Sequence, residues 1–424
     1  MKKKLFALST FGLFIISVIL PAVNCKSIET NKTEIFLNNK NELVTHYLES
    51  PSSYEYGLKA GEMLGLQYRI IDHFASSRQF KLTVEEIKEQ IAILEKYCPS
   101  VIEEFKGLSA STHIKLERLI LLQNFLESIL SQGCTATAST GNATKNNETF
   151  LTQTVDAYKR GGLTFLRRFI YSHLWVKKIS IGYKYVFLGL PVLCEKTLLN
   201  EKGLALVGND VIATKDKNRI VDGGPGIPFS TWYKLVMMKC KNITEVISFY
   251  KGDLKPSTQK LFSNDVWADA EGNIMDAEMT YHHLITVFGN STDITDAPEG
   301  ILWHANHHQW LDPNETGSVF PDEYPSSKLR AERVHELLLM NYDNITLEVL
   351  KEICGDHGGG FDPNKKDSGD ICCHPDLDHI LLPFNGITIK SIIIEPKNLI
   401  IYLANGSPCR TKYVEYDFSK IFDV

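Results

Sequence analysis

The spacing of hydrophobic residues changes about a third of the way along the chain. Before residue 134, apolar side chains recur every three or four positions, which is the spacing of amphipathic helices. Thr83 followed by Glu86 predicts a capping box at the start of one helix, and Pro99 is expected to end it. The apolar stripe of that helix is Val84, Ile87, Ile91 and Leu94. We therefore predict that residues 54–130 are mainly helical.

Beyond residue 134, short apolar runs bounded by turn residues predict strands. The predicted strands are 149–155, 186–190, 204–208, 264–268, 274–278, 387–394 and 399–403. Helices are predicted between them at 231–238, 244–250, 326–340 and 346–354. A helical segment followed by strands interleaved with helices favours an α+β layered domain over a doubly wound parallel sheet.

The stretch 159–185 mixes basic and aromatic residues without a regular spacing. One interpretation is an amphipathic surface that meets lipid or an acyl substrate. The other, which the irregular spacing favours, is a solvated helix face packed on the core. If the protein touches a membrane at all, we expect the contact only here.

The composition is that of a soluble globular protein, with 43% hydrophobic and 23% charged residues in a chain of 424. The formal charge of -6 gives no reason to expect nucleic-acid binding, which usually needs a basic face, so we expect no nucleic-acid partner. Lys2 to Lys4 precede an apolar run from Leu5 to Val23, which predicts a signal peptide over residues 1–25. A signal anchor left in place is the alternative. We expect a secreted or lysosomal protein.

Asn-x-Ser/Thr sequons agree with secretion, since each is a potential glycosylation acceptor. The predicted glycosylated residues are Asn31, Asn142, Asn147, Asn242, Asn290, Asn314 and Asn344. Asn405 also matches, but the Pro408 after its sequon disfavours it.

The nine cysteines bear on both the compartment and the chemistry. Removing Cys25 with the signal peptide leaves eight, and reserving Cys134 as a free thiol leaves seven, an odd number that cannot all pair within one chain. In an oxidising compartment we expect some of the seven to be bridged. Cys372 or Cys373 with Cys409 is one hypothesis for a disulfide.

The junction Gly133–Cys134 marks the change from helices to strands. If this bond were cut, Cys134 would carry both a thiol nucleophile and an α-amino group with a pKa of about 8 that can act as a base. Taken alone, a cysteine beside a glycine is more often a buried structural residue.

Several short motifs in a fixed order make the chain resemble the acyl-CoA:6-aminopenicillanate acyltransferase family. These are self-processing N-terminal-nucleophile cysteine hydrolases related to bile-salt and penicillin V amidases. The resemblance covers about Gly57 to Cys409. The motifs are Gly133-Cys134-Thr135-Ala136, Asn200-Glu201-Lys202-Gly203-Leu204-Ala205, Asp269 with Gly272, His304-Ala305-Asn306-His307, Ser326-Ser327-Lys328-Leu329-Arg330 and Gly406-Ser407-Pro408-Cys409.

The resemblance implies a precursor that cuts itself at Gly133–Cys134 within a four-layer αββα sandwich. The mainly helical segment 26–133 would be released or retained as an α subunit. Residues 134–424 would form the catalytic β segment, and the two segments together would make one domain. The expected product of retention is an α/β heterodimer.

The resemblance also implies roles for individual residues. Asp156 matches an aspartate that accepts a hydrogen bond from the terminal amine, which suits a carboxylate beside an ammonium. Asn209 and Asn306 match asparagines near the nucleophile, whose amides can donate to a developing oxyanion. Arg330 would keep the charged groups of the site in position. Arg333 is a less favoured candidate for the same role.

Gln153 is a departure from the family pattern. An Arg or Asn often stands three residues before the aspartate, and here the place is taken by a neutral glutamine. We assign Gln153 to substrate binding, with the substrate preference left open.

The implied reaction is acyl transfer through an acyl-cysteine on Cys134. The thiol attacks the carbonyl of a small-molecule acyl-amide or acyl-thioester while the α-amine takes the proton, and water or another amine resolves the intermediate. No cofactor is expected. The alternative is a catalytically inactive secreted glycoprotein of the same fold that serves as a binding or structural protein.

Histidines and acidic residues also raise the question of a metal site. No spacing matches a recognised zinc pattern, so we expect no catalytic metal. No papain-like signature surrounds any cysteine either. The residues considered as ligands are His282, His283, His304, His307, His308, His374, Asp376, Asp378 and His379.

Overall fold

The computed structural model describes residues 43–77, 82–130, 133–158, 166, 168, 170–224, 226–254, 261–358, 369–374 and 386–422. They belong to the unit Phe36–Val424. The predicted signal peptide, Asn31, Asp376, Asp378 and His379 lie outside the described residues.

Fourteen strands are described. They are β1 Val44–Ser50, β2 Cys134–Ser139, β3 Phe150–Tyr158, β4 His173–Ile179, β5 Tyr185–Leu190, β6 Cys194–Asn200, β7 Ala205–Ile212, β8 Leu261–Ala268, β9 Ile274–Met279, β10 Leu284–Phe288, β11 Ile301–His304, β12 Gly386–Glu395, β13 Ile400–Ala404 and β14 Tyr413–Asp417. One sheet has the order β1-β4-β5-β6-β7-β8-β9-β10 and the other β11-β2-β3-β12-β13-β14. Within the described residues, β1 runs parallel to β4 and the remaining neighbours are antiparallel.

The helices flank these sheets. They are α1 Ser53–Ser77, α2 Val84–Tyr97, α3 Pro99–Thr112, α4 Leu116–Leu130, α5 Phe229–Lys239, α6 Ile243–Tyr250, α7 Thr292–Thr295, α8 Pro313–Thr316, α9 Pro325–Met340, α10 Leu347–Cys354 and α11 Ser419–Phe422. For the described residues of 54–130, the predicted mainly helical character is confirmed.

The elements stack in four layers. Strands β2 and β3 of one sheet face β7 and β8 of the other. Helices α1, α4 and α5 cover the outside of the eight-stranded sheet, and α9 and α10 cover the outside of the six-stranded sheet. The α+β αββα sandwich predicted from the sequence is confirmed.

The predicted capping box forms at the start of α2. The Glu86 N–H donates to Thr83 Oγ1 at 3.1 Å, and the Thr83 N–H donates to Glu86 Oε2 at 2.6 Å. Pro99 does more than end this helix, because it also occupies the first turn of α3. A proline is tolerated there since the N–H it lacks would have no partner within the helix.

The interpretation of residues 159–185 as a helix face or a lipid-facing surface is wrong for residues 173–179, which form β4. Trp175 and Lys177 of this strand are buried. Lys177 tolerates burial because its Nζ lies 2.5 Å from Glu104 Oε1. Residues 159–165, 167 and 169 lie outside the described part of the chain. Among the described residues, no helix is long and apolar enough to cross a membrane.

Candidate active site

The Gly133–Cys134 peptide bond is held by hydrogen bonds on both sides. Cys134 begins β2, and its register with β3 pairs it with Val155. The Asp156 N–H donates to the Gly133 carbonyl oxygen at 2.7 Å. The Cys134 N–H donates to Asn306 Oδ1 at 2.8 Å. Both polar groups of the junction peptide are therefore fixed, and Cys134 as a whole is only 6% exposed.

Close packing explains why a glycine precedes the cysteine. A Cβ atom at position 133 would lie 2.9 Å from Asp156 Oδ2 and 3.2 Å from Asp156 Cβ. Any side chain at this position would push the carboxylate away from the junction, so the glycine lets Asp156 approach.

Asp156 lies on β3 opposite Thr388 of β12. Its Oδ1 accepts a hydrogen bond from Thr388 Oγ1 at 2.6 Å. Burial raises the pKa of Asp156 to about 6, although the Arg330 charge and the Thr388 hydroxyl act in the opposite direction. The predicted bond to a terminal amine is not tested, because the described chain runs continuously from Gly133 to Cys134.

Asn306 and Arg330 form a clamp around Cys134. Besides the Cys134 N–H, Asn306 Oδ1 accepts from Arg330 Nη2 at 2.7 Å, and Asn306 Nδ2 donates to the Asp210 carbonyl oxygen at 2.9 Å. Arg330 Nη1 donates to the Cys134 carbonyl oxygen at 2.5 Å and to Thr135 Oγ1 at 2.8 Å. The side chain of Asn306 thus serves the junction as an acceptor, with its Nδ2 bonded elsewhere.

Arg333 does not share these contacts. Its guanidinium donates to both oxygens of Asp356, from Nε at 2.9 Å and from Nη2 at 2.8 Å. Of the two arginines considered from the sequence, Arg330 is the one that contacts the junction.

Asn209 and Gln153 belong to a polar layer between the two sheets. Asn209 Nδ2 donates to the His304 carbonyl oxygen at 3.1 Å, and Asn209 Oδ1 accepts from Gln153 Nε2 at 3.2 Å. Gln153 Nε2 also donates to the Gly208 carbonyl oxygen at 2.7 Å, and Gln153 Oε1 accepts from Thr197 Oγ1 at 3.1 Å. The amide that was predicted to stabilise an oxyanion therefore donates to a backbone carbonyl in this structure.

A buried ion pair beside the thiol was missed by the sequence analysis. Lys196 Nζ lies 3.1 Å from Asp210 Oδ1, and both side chains are about one-tenth exposed. Burial raises the pKa of the Cys134 thiol to about 12; the charges of Asp210 and Asp156 add to this, while Lys196 and Arg330 oppose it. The available signal was Lys196 within β6 and Asp210 within β7, which are charged residues in two strands that are mostly buried.

The histidines after β11 hold the loop that carries Asn306. His304 Nε2 lies 2.7 Å from Glu278 Oε1, and His308 Nδ1 lies 2.9 Å from Asn264 Oδ1. His307 Nδ1 contacts Ser327 Oγ at 2.8 Å. These ring nitrogens are engaged in hydrogen bonds, which gives the histidines a positioning role for the loop.

Two other predictions concern modification. Cys372 Sγ and Cys409 Sγ are 3.5 Å apart and unbonded, and no disulfide joins any of the described cysteines. Asn242 is half-buried at the start of α6. The exposed sequon residues are Asn142, Asn147, Asn290, Asn314 and Asn344. Glycosylation and the disulfide both stay predictions.

Comparisons with known proteins give likenesses of low identity. The chain is 13% identical to a penicillin V acylase from Agrobacterium tumefaciens, with a TM-score of 0.40 over 68% of this chain and 87% of that chain. The chain is 14% identical to one variant of conjugated bile acid hydrolase from Clostridium perfringens, with a TM-score of 0.42 over 68% of this chain and 93% of that chain. It is 13% identical to a second variant of that hydrolase, with a TM-score of 0.39 over 67% of this chain and 93% of that chain. No protein-family profile and no curated protein matches the chain, so the site is interpreted from its own geometry.

Proposed function

We propose that this chain is a self-processing cysteine amidohydrolase or acyltransferase whose nucleophile is Cys134. The observation that carries the proposal is the fixation of one peptide bond, Gly133–Cys134, next to a buried thiol. Asp156 N–H holds its oxygen, Asn306 Oδ1 holds its nitrogen, and Arg330 holds the following carbonyl. Such positioning of reacting groups is what an intramolecular reaction needs.

The first step is self-cleavage. The Cys134 sulfur attacks the Gly133 carbonyl carbon, and the negative charge that develops on the oxygen is stabilised by the Asp156 N–H. The C–N bond breaks, the thiol proton ends on the leaving nitrogen, and a thioester with a free α-amine results. Water then hydrolyses the thioester to a Gly133 carboxylate and a Cys134 thiol.

This step needs a group to carry the proton, because a thiol with a pKa of about 12 is almost wholly protonated at neutral pH. Asp156 is our candidate. Its carboxylate lies against Gly133, and a pKa of about 6 suits proton transfer near neutrality.

Turnover uses the same residues. Asn306 Oδ1 keeps its bond to the Cys134 nitrogen, which is now an α-amine that takes the thiol proton. The sulfur attacks an acyl-amide or acyl-thioester, the amine or thiol leaves with that proton, and water or an acceptor amine resolves the acyl-cysteine. Since the same sulfur attacks both carbonyls, the substrate carbonyl replaces that of Gly133, and the Asp156 N–H becomes an oxyanion donor.

Gln153 limits which substrates suit the site. A neutral amide held by Gly208, Thr197 and Asn209 supplies hydrogen bonds but no charge. We therefore propose that this position contacts an uncharged part of the substrate.

The test is mass analysis with N-terminal sequencing of the mature protein. We expect a fragment that begins Cys-Thr-Ala-Thr, and Cys134→Ala should abolish both this fragment and amidase activity. Cys194→Ala, at another buried cysteine, is the matched control and should be cut normally. An intact chain with full amidase activity would contradict the mechanism. An uncut chain whose thiol never reacts with an electrophile would instead favour the inactive glycoprotein.

A further inference from the structure

Two histidines and two cysteines converge at a place that the acyl-transfer reaction does not use. One ligand atom from each residue lies within 4.8 Å of all the others, and the four residues are His357, Cys372, His374 and Cys409. The two sulfur atoms are 3.5 Å apart, and the imidazole centroids are 4.8 Å apart with their planes at 79°.

We propose that these four residues form a structural zinc site. A tetrahedron with Zn–S of about 2.3 Å and Zn–N of about 2.0 Å has edges of roughly 3.3 to 3.8 Å, and the sulfur separation falls in that range. A disulfide needs about 2.05 Å. Two thiolates with two imidazoles are a typical ligand set for zinc, and four protein ligands leave no open position for catalysis.

One imidazole atom independently indicates a ligand. His357 Nδ1 is buried and has no hydrogen-bond partner in the described part of the chain. Buried polar atoms are nearly always satisfied, so an orphan nitrogen on one of the four clustered residues is explained by a metal. A disulfide between the two cysteines would leave this nitrogen unexplained.

The backbone around the cluster is fixed by a second set of contacts. Arg333 forms its two-pronged ion pair with Asp356, whose Oδ1 also accepts from the Gly358 N–H at 2.7 Å. The Asp356 carbonyl oxygen accepts from the Cys372 N–H at 2.9 Å. Helix α9 thereby holds the backbone of two ligands, as outer contacts commonly do around metal sites.

The same segment continues to the candidate active site. The Cys373 N–H donates to Thr388 Oγ1 at 2.8 Å, and the Thr388 N–H donates to the Cys373 carbonyl oxygen at 2.6 Å. Thr388 Oγ1 in turn donates to Asp156 Oδ1. Zinc would therefore anchor the segment that orients Asp156. Only this last link rests on the proposed function.

The sequence did not reveal the site because its ligands are far apart. His357 follows α10, Cys372 and His374 share the short segment 369–374, and Cys409 follows β13. This order matches none of the recognised zinc spacings.

The test measures metal in the purified full-length protein. We expect about one zinc per chain by elemental mass spectrometry, and X-ray absorption should give two sulfur ligands at about 2.3 Å and two nitrogen ligands at about 2.0 Å. The double variant Cys372→Ser with Cys409→Ser should lose the zinc. Cys373→Ser is the matched control and should keep it, because the Cys373 sulfur donates to the Asp370 carbonyl oxygen outside the cluster.

Absence of stoichiometric metal, together with a peptide mass that shows Cys372 joined to Cys409, would overturn the proposal. So would zinc with a different ligand set in the absorption spectrum. Both results come from the wild-type chain, so they hold even if the double variant does not fold. Neither depends on whether Gly133–Cys134 is cut, and a failure of the proposed function is therefore separate.

Discussion

Two buried polar clusters of this protein have similar compositions but different arrangements. One lies between the eight-stranded sheet and its helices, where Lys177 and Lys234 meet Glu104 and Glu195. Lys177 Nζ lies 2.5 Å from Glu104 Oε1, and Lys234 Nζ lies 3.1 Å from Glu104 Oε2. The other lies between the two sheets around Cys134.

The first cluster is balanced. It has two positive and two negative side chains, and the hydroxyl groups of Tyr56 and Tyr185 donate to Glu195. Although burial opposes it, Lys177 and Lys234 hold the pKa of Glu195 below its usual value. A closed set of paired charges of this kind maintains structure and presents no reactive group.

The cluster around Cys134 converges on one peptide bond, and the pKa values of Cys134 and Asp156 lie above their ordinary values. The pKa of the thiol is raised to about 12 and that of Asp156 to about 6. Burial raises the pKa of Cys194 to about 12 as well, so the proposed role of Cys134 rests on the groups that converge on its peptide bond. The charges of the first cluster pair with one another, whereas the groups around Cys134 converge on one peptide bond.

The largest expected effect comes from breaking the balanced cluster. Glu104→Gln removes a charge that compensates two buried lysines, and we expect a loss of about 3–5 kcal/mol in the free energy of unfolding. Urea denaturation measures it. Glu103→Gln, at the exposed neighbouring position, is the control and should change little. If Glu104→Gln instead slowed cleavage in protein that remains folded, the two clusters would not be separate in function.

The next effect comes from the clamp at Cys134. Asn306→Ala removes the acceptor for the Cys134 N–H and for Arg330 Nη2, and we expect self-cleavage to slow about a hundredfold, or about 2.7 kcal/mol in the barrier. Mass spectrometry of freshly translated chain measures the rate. Asn398→Ala, at an exposed turn, is the control. Cleavage of Asn306→Ala at the normal rate would remove Asn306 from the mechanism.

The smallest effect is a shift in pH dependence. We expect the rate of self-cleavage to rise as the pH passes about 6, where Asp156 ionises. Thr388→Val removes a hydrogen bond that favours the carboxylate, so the midpoint should move up by roughly one pH unit, since bonds to charged groups contribute about 1.5–3 kcal/mol. Thr388→Ser keeps the hydroxyl and should restore the midpoint. An unchanged midpoint in Thr388→Val would exclude Asp156 as the proton carrier.

The contribution of Asp156 to the free energy of unfolding should fall as the pH rises, whereas the rate of self-cleavage should increase. The pKa of Asp156 in the folded state, about 6, lies above the roughly 3.9 of an unfolded aspartate. The folded state therefore binds the proton more tightly. The stabilisation is fully present below about pH 4 and is lost as the pH rises through about 6.

Local signals predicted much of the fold. The capping box at Thr83 and the strands β12 and β13 formed as expected, and the two strands pair with each other, because these features depend on residues close in sequence. Strand β4 was missed because Lys177 looked like a solvent-facing residue, and only its distant partner Glu104 explains its burial. Strand β2 was also missed, because its complete burial removes the alternation that marks a strand with one face in water.

The candidate site was predictable only in part. The junction Gly133–Cys134 follows from adjacency, and the family motifs pointed to Asp156, Asn306 and Arg330, which the structure brings around that junction. The orientation of Asn209 was not predictable, because its amide donates to a carbonyl on β11 that lies 95 residues further along the chain.

The sequence by itself determined the order of helices and strands, a cysteine preceded by a glycine, and the residue types available for chemistry. Tertiary structure decided which groups meet. Lys196 pairs with Asp210, Thr388 donates to Asp156, and two histidines lie beside two cysteines. These contacts form because strand pairing and sheet packing join segments that are far apart in sequence. Hydrogen bonds and ion pairs act over a few ångströms, so only the folded chain sets these partnerships.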